Sequence, residues 1–240
     1  MIVQYLKQNF HRDKPTRLLK ILLILDLLFI IGHIASALLW YFEMGEFSNF
    51  LVTQDGGYPE IFQYLKYLAI VLLVAMYIAE IKKFDYLPWL VLFFFLFVDD
   101  AFLLHERSGL FFAETFGLKP VLGLRAADLG ELAYAALMGI ITLGLLLWFY
   151  LKGSKVVKNT FLDIFILFSI LLFFAIGVDM IHQVFEENYI AFALIALIED
   201  GGEMIALSFL VWYFYFIVSV PTAERKFLYT YFLPKRKYKS

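Results

Sequence analysis

Six stretches of this chain are apolar for long enough to cross a lipid bilayer, and that alone leaves few folds open to it. They run Leu18–Phe42, Ile61–Ile81, Leu87–Leu104, Leu129–Leu151, Phe161–Ile181 and Ile190–Val220, and a hydrocarbon core about 30 Å thick calls for roughly 20 helical residues. Inside lipid the backbone has no water to bond, so a segment either satisfies its own amides as a helix or closes into a barrel. The runs lack the two-residue alternation of barrel strands. The expectation is therefore all-α: a polytopic membrane protein of six transmembrane helices, with residues 1–240 as one integral membrane domain. A composition of 62% hydrophobic residues agrees, because soluble domains hold about 45–50% apolar residues.

The basic residues orient the bundle. Lys7, Arg12, Lys14, Arg17 and Lys20 precede the first run, Lys82 and Lys83 follow the second, Lys152, Lys155 and Lys158 follow the fourth, and a cluster from Arg225 to Lys239 closes the chain. These segments alternate with acid-bearing connections, so the positive-inside rule places both termini in the cytoplasm. Asp26 interrupts the first apolar run, which reads as an uncleaved helix rather than a signal peptide. A formal charge of −2 excludes a nucleic-acid partner, which needs a basic surface. The absence of cysteine excludes thiolate metal ligands and a Cys nucleophile.

The chain also resembles itself. Asp128, Gly130 and Glu131 align with Asp200, Gly202 and Glu203 at an offset of 72, while Val98, Asp99 and Glu106 align with Val178, Asp179 and Glu186 at an offset of 80. Glu60 marks a fainter first copy. The pattern predicts two or three repeated helical hairpins, each a helix with polar residues near its outer end, an outside loop, and a return helix that opens on an acid.

Those polar residues are the candidate site. On the fifth run Asp179, His182, Gln183 and Glu186 fall within roughly 100° of arc at about 100° per residue. On the third run Asp99 and Glu106 share a face, with His105 beside them; on the sixth, Glu199 and Glu203 lie one turn apart. His33, His105 and His182 stand one per hairpin. An ionisable group inside a span costs about 2.5–3.5 kcal/mol on insertion scales, so such groups pair, share protons, line water or bind a cation. Carboxylates with imidazoles suit a divalent metal, zinc, iron or manganese. The expected ligands are Asp99, His105, Glu106, Asp179, His182, Glu186, Glu203 and His33. Glu131 or Glu203 is the expected general base on a metal-bound water. Asp26 is expected to pair locally and Lys66 to snorkel. The segment RSGLFFAETFGLKPVLGLR is expected to lie along the interface, and Gly201-Gly202 to break the sixth run after a short re-entrant piece.

The stretches VDDAFLLHER and IEDGGEMIALSFLVWYF resemble a group of multi-pass bacterial membrane proteins with an acidic, Leu-His-Glu motif and a later acidic helix start. That resemblance implies a bacterial inner (plasma) membrane and no particular activity. The chain is similar, more loosely, to the alkaline-ceramidase-like intramembrane metal hydrolases, which hold zinc with three histidines and an aspartate. It differs from them in having six runs rather than seven and no late His-x-x-x-His. Three functions stay open: a metal-dependent membrane enzyme, hydrolase or oxidase, acting on a lipid or other membrane-borne substrate; a cation- or proton-coupled transporter or channel; and a sensor or assembly subunit whose polar cluster is structural.

Overall fold

The computed structural model describes residues 13–45, 47–82, 84–185, 189–225 and 227–228. Among them the fold is all-α, with one isolated β-bridge between Val121 and Leu124. The helices are α1 (Asp13–Tyr41), α2 (Tyr58–Ile81), α3 (Leu87–Ala101), α4 (Leu104–Phe116), α5 (Ala126–Lys152), α6 (Lys155–Val184) and α7 (Tyr189–Ser219). Pro59 and Pro88 sit in the first turns of α2 and α3, where a fixed φ favours helix and the missing N–H has no partner to lose. Arg125 and Asp128 cap α5, the Arg125 N–H donating to Asp128 Oδ2 at 2.7 Å.

Four helices, α1, α2, α5 and α6, are long and apolar enough to cross a membrane; α3 and α4, joined at a 77° bend, make a fifth if they form one broken span. The sixth expected run, α7, is a continuous helix of 31 residues. Its three acids leave Met204–Ser219, roughly 24 Å of helix, as its uninterrupted apolar part.

Three local expectations are corrected. The Gly201-Gly202 pair does not break α7. A Cβ on Gly202 would lie 2.2 Å from the Phe174 ring, and one on Gly201 would meet Ile30 at 3.5 Å. Gly202 thus lets Phe174 of α6 close on α7, a use of small residues common where helices cross at short range, while at Gly201 a Cβ would make only an ordinary contact with Ile30 of α1. The break comes instead between α3 and α4, where Leu103 takes a left-handed conformation (φ 50°, ψ 45°). The segment expected to lie along the interface is partly helical. Its first half is part of α4, and α4 packs on α5 through Gly109 and Gly130.

Lys66 does not snorkel, and Asp26 does not pair locally. Both are buried, with Lys66 Nζ 2.5 Å from Asp26 Oδ1. Lys66 also donates to the Met204 carbonyl at 2.8 Å, and Ser208 Oγ donates to Asp26 Oδ2 at 2.6 Å. One ion pair therefore joins α1, α2 and α7.

The apolar core lies toward the start of α3, where Trp89, Phe93, Phe161, Phe168 and Phe214 interlock mainly edge to face. Such arrangements set the positive ring edge against a negative face. Toward the other end of α3 the packing opens into a cavity.

Candidate metal centre

Residues Phe173–Val178 of α6 form a π-helical turn, after which α-helix resumes at Asp179. A π turn inserts an extra residue into the helix and rotates everything beyond it, which is why such turns recur at functional sites. Beyond this one, Asp179 and His182 face Glu199 of α7. One ligand atom from each of the three lies within 4.8 Å of the others. His182 Nδ1 and Glu199 Oε2 are 2.7 Å apart, with side chains only 12% and 14% exposed. Even so, among the described residues Glu199 Oε2 has no partner with hydrogen-bond geometry, nor has the other ring nitrogen, His182 Nε2. Buried polar atoms are normally bonded, so this pair of orphans asks for a third party. An ion bound tetrahedrally at about 2.0–2.1 Å needs donors roughly 3.3 Å apart, so donors that now lie within 4.8 Å of one another would draw in by up to about 1.5 Å, while the 2.7 Å His182–Glu199 pair would open a little. The set fits a divalent cation in donor type, convergence and unmet valence.

A chain of side chains holds Asp179 from behind. Gln183 Nε2 donates to Asp179 Oδ1 at 3.2 Å, Arg125 Nη2 donates to Gln183 Oε1 at 3.2 Å, and Arg125 is paired with Asp128 at 2.7 Å. The start of α5 is thereby tied to a ligand on α6. Outer partners of this kind are worth about 10–100-fold in metal affinity. Gln183→Ala is expected to weaken zinc binding by about that factor without unfolding the protein, as read by isothermal titration; unchanged affinity would show that the chain does not orient Asp179.

The ligand group lines a cavity of about 790 Å³ that also takes in Asp99, His105, Glu106, Glu131 and Glu203. The expected residues thus reach one cavity but divide within it. Asp99 and His105 bond to each other at 3.1 Å, and Tyr134 donates to Asp99 at 2.8 Å. Glu106 is exposed, while Glu131 and Glu203 are partly buried. Glu203 lies one turn beyond Glu199, outside the convergent group. His33 is not part of the cavity wall: it accepts a hydrogen bond from the Val52 N–H at 3.1 Å and fastens α1 to the connection before α2. Glu186 lies outside the described residues.

The sequence reading left out Glu199 as a ligand, along with Tyr134, Arg125 and the π turn. One signal did point to Glu199: it shares a helix face with Glu203. The repeat alignment favoured Glu203 because only Glu203 has a counterpart at Glu131.

Fold and cavity together define a class: an all-α bundle with four or five helices long and apolar enough to cross a membrane, enclosing a polar cavity where an Asp/His/Glu group can hold a metal ion. Within that class the chain belongs to the family described as a domain of unknown function, DUF8692, whose family model matches residues 21–218. No curated protein and no solved structure matches it.

Proposed function

We propose that the protein is a membrane-embedded, metal-dependent hydrolase in which Asp179, His182 and Glu199 hold one divalent cation and the cavity receives a lipid or other membrane-borne substrate. The observation that carries this reading is the convergence of three donors on one point, two of them with buried atoms that no hydrogen bond from the described residues satisfies. Three protein ligands leave a coordination position for water, the arrangement of catalytic rather than structural zinc. When bound, the cation supplies the charge that lets such a water ionise near neutral pH. Gln183 holds Asp179 in place, and the carboxylates of Glu131 and Glu203 line the space where a base is needed. Iron in the same site would support oxidation instead.

The donor set departs from the three histidines and aspartate that a ceramidase-like site implies, since His33 and His105 bond to Val52 and Asp99. The kinship we propose is one of reaction class, with a different ligand set. Transport is less well supported. Away from the cavity, Asp26 and Lys66 are spent on each other, and Asp163 accepts from the Tyr213 hydroxyl and the Leu228 N–H. In the orientation given by the positive-inside rule, both termini are cytoplasmic and the cavity opens outward from a bacterial inner membrane.

Metal analysis tests the reading directly. Detergent-purified protein exposed to zinc or manganese and then desalted is expected to retain one ion per chain, and His182→Ala to retain essentially none. A folded wild-type protein that retains no ion would sink it.

A further inference from the structure

We propose that His105, oriented by Asp99, is the proton acceptor of the cavity and is not a metal ligand. The assignment rests on the hydrolase reading for the source of the proton and on the geometry of α3, α4 and α5 for everything else.

Asp99 ends α3 and His105 opens α4. Six residues apart on a straight helix, they would be separated by about 9 Å of rise and roughly 120° of arc, with no prospect of touching. The 77° bend, turning on the left-handed Leu103, folds the start of α4 back so that His105 Nδ1 comes to 3.1 Å from Asp99 Oδ2. A third element completes the arrangement: the Tyr134 hydroxyl of α5 donates to Asp99 Oδ1 at 2.8 Å. Asp99 thus holds a partner at each oxygen, the Tyr134 hydroxyl at Oδ1 and the His105 ring at Oδ2. An ionised carboxylate has no hydrogen to give, so Nδ1 must carry the proton of the neutral ring, leaving the Nε2 lone pair free.

The same residue is open to the cavity. Its side chain is 36% exposed, and it lies within electrostatic reach of Glu131 and Asp179. Glu131 and Glu203, the bases suggested by sequence, reach the cavity as well. No described side chain fixes the direction of their lone pairs, and a base works only from a defined direction. In the step assigned to His105, the O–H bond of a cavity water or substrate hydroxyl breaks. Its electrons stay on oxygen, which becomes the nucleophile, and the proton binds Nε2. The resulting imidazolium is balanced by the Asp99 carboxylate, whose position Tyr134 maintains.

The tautomer can be read without any substrate. In protein labelled with ¹⁵N-histidine, with His105→Gln used to assign the signals, the His105 ring is expected to show a protonated Nδ1 and a bare Nε2. Asp99→Asn keeps the shape but turns an amide N–H toward Nδ1, since Tyr134 holds the carbonyl oxygen, so the proton is expected to move to Nε2. The corresponding change in a catalytic triad leaves the wrong tautomer in place. Should Asp99→Asn fail to fold, Tyr134→Phe, which keeps the Asp99 carboxylate facing Nδ1, is expected to leave the proton on Nδ1, and a ring protonated at Nε2 in that variant would count against the assignment. Zinc content separates this proposal from the metal reading: His105→Gln is expected to keep the ion that His182→Ala loses. A wild-type His105 protonated at Nε2, or a His105→Gln protein as metal-free as His182→Ala, would overturn the assignment. A wild type that binds no metal would overturn the hydrolase reading alone, with the tautomer still deciding the Asp99–His105 pair.

Discussion

Lys66→Met is expected to be the most damaging single substitution in the bundle, costing about 3–5 kcal/mol, the range for a buried pair that loses one partner. Lys66 and Asp26 have side chains only 1% exposed. Removing the ammonium leaves a carboxylate in the middle of three helices with only the Ser208 hydroxyl for company. The Met204 carbonyl loses its Lys66 donor, and the Phe62 ring, 4.3 Å from Nζ, loses its cation. The double replacement Asp26→Asn with Lys66→Met should recover most of the loss, because a neutral amide can still accept from Ser208 and no charge is left unpaired. Thermal unfolding of the detergent-solubilised proteins checks both halves. A single variant as stable as wild type, or a double variant no better than the single, would mean that the pair is not the buried pin described here. Zinc binding by the double variant should be unchanged, since neither residue lines the cavity.

The parts of this architecture that were legible in the sequence depend on composition and helical period. A helix is forced wherever lipid denies the backbone water, so the apolar runs appear as helices in the expected places. The shared face of Asp179 and His182 follows from their spacing. What could not be read depends on contacts between distant residues. Lys66 looked able to reach an interface because its partner, Asp26, stands 40 residues earlier. Gly201-Gly202 looked like a break because glycine weakens helices in water. Within a packed helical bundle the amides keep their helical bonds, and the missing side chain of Gly202 serves close approach instead, here of Phe174. The π turn left no mark in the residue types. It nevertheless bears on how Asp179 and His182 are turned toward Glu199. Leu103 could not have been foreseen as the hinge, since a left-handed leucine is unfavourable and persists only where its surroundings impose it.

The second large effect is expected at the crossing of α4 and α5, where Gly130→Ala should lower stability toward the upper end of the roughly 1–3 kcal/mol seen for overpacked sites. The new methyl would stand 1.9 Å from the Gly109 carbonyl oxygen, 2.8 Å from its carbon and 3.1 Å from the Ala113 nitrogen. All three are backbone atoms, so no rotamer change relieves the clash and α4 itself has to move. Gly139→Ala on the same helix is the control: nothing lies within 4 Å of the added carbon, and helix propensity favours alanine by about 1 kcal/mol. Melting temperatures in detergent should therefore fall for the first and hold or rise for the second; equal behaviour would mean that the crossing is looser than described. The displacement should also act selectively on the cavity. His105 rides on α4 and Asp99 on α3, whereas Asp179, His182 and Glu199 belong to α6 and α7. A shifted α4 pulls the imidazole away from its carboxylate and leaves the ligand group standing, so Gly130→Ala should disturb the His105 ¹⁵N signals while zinc content stays near that of the wild type.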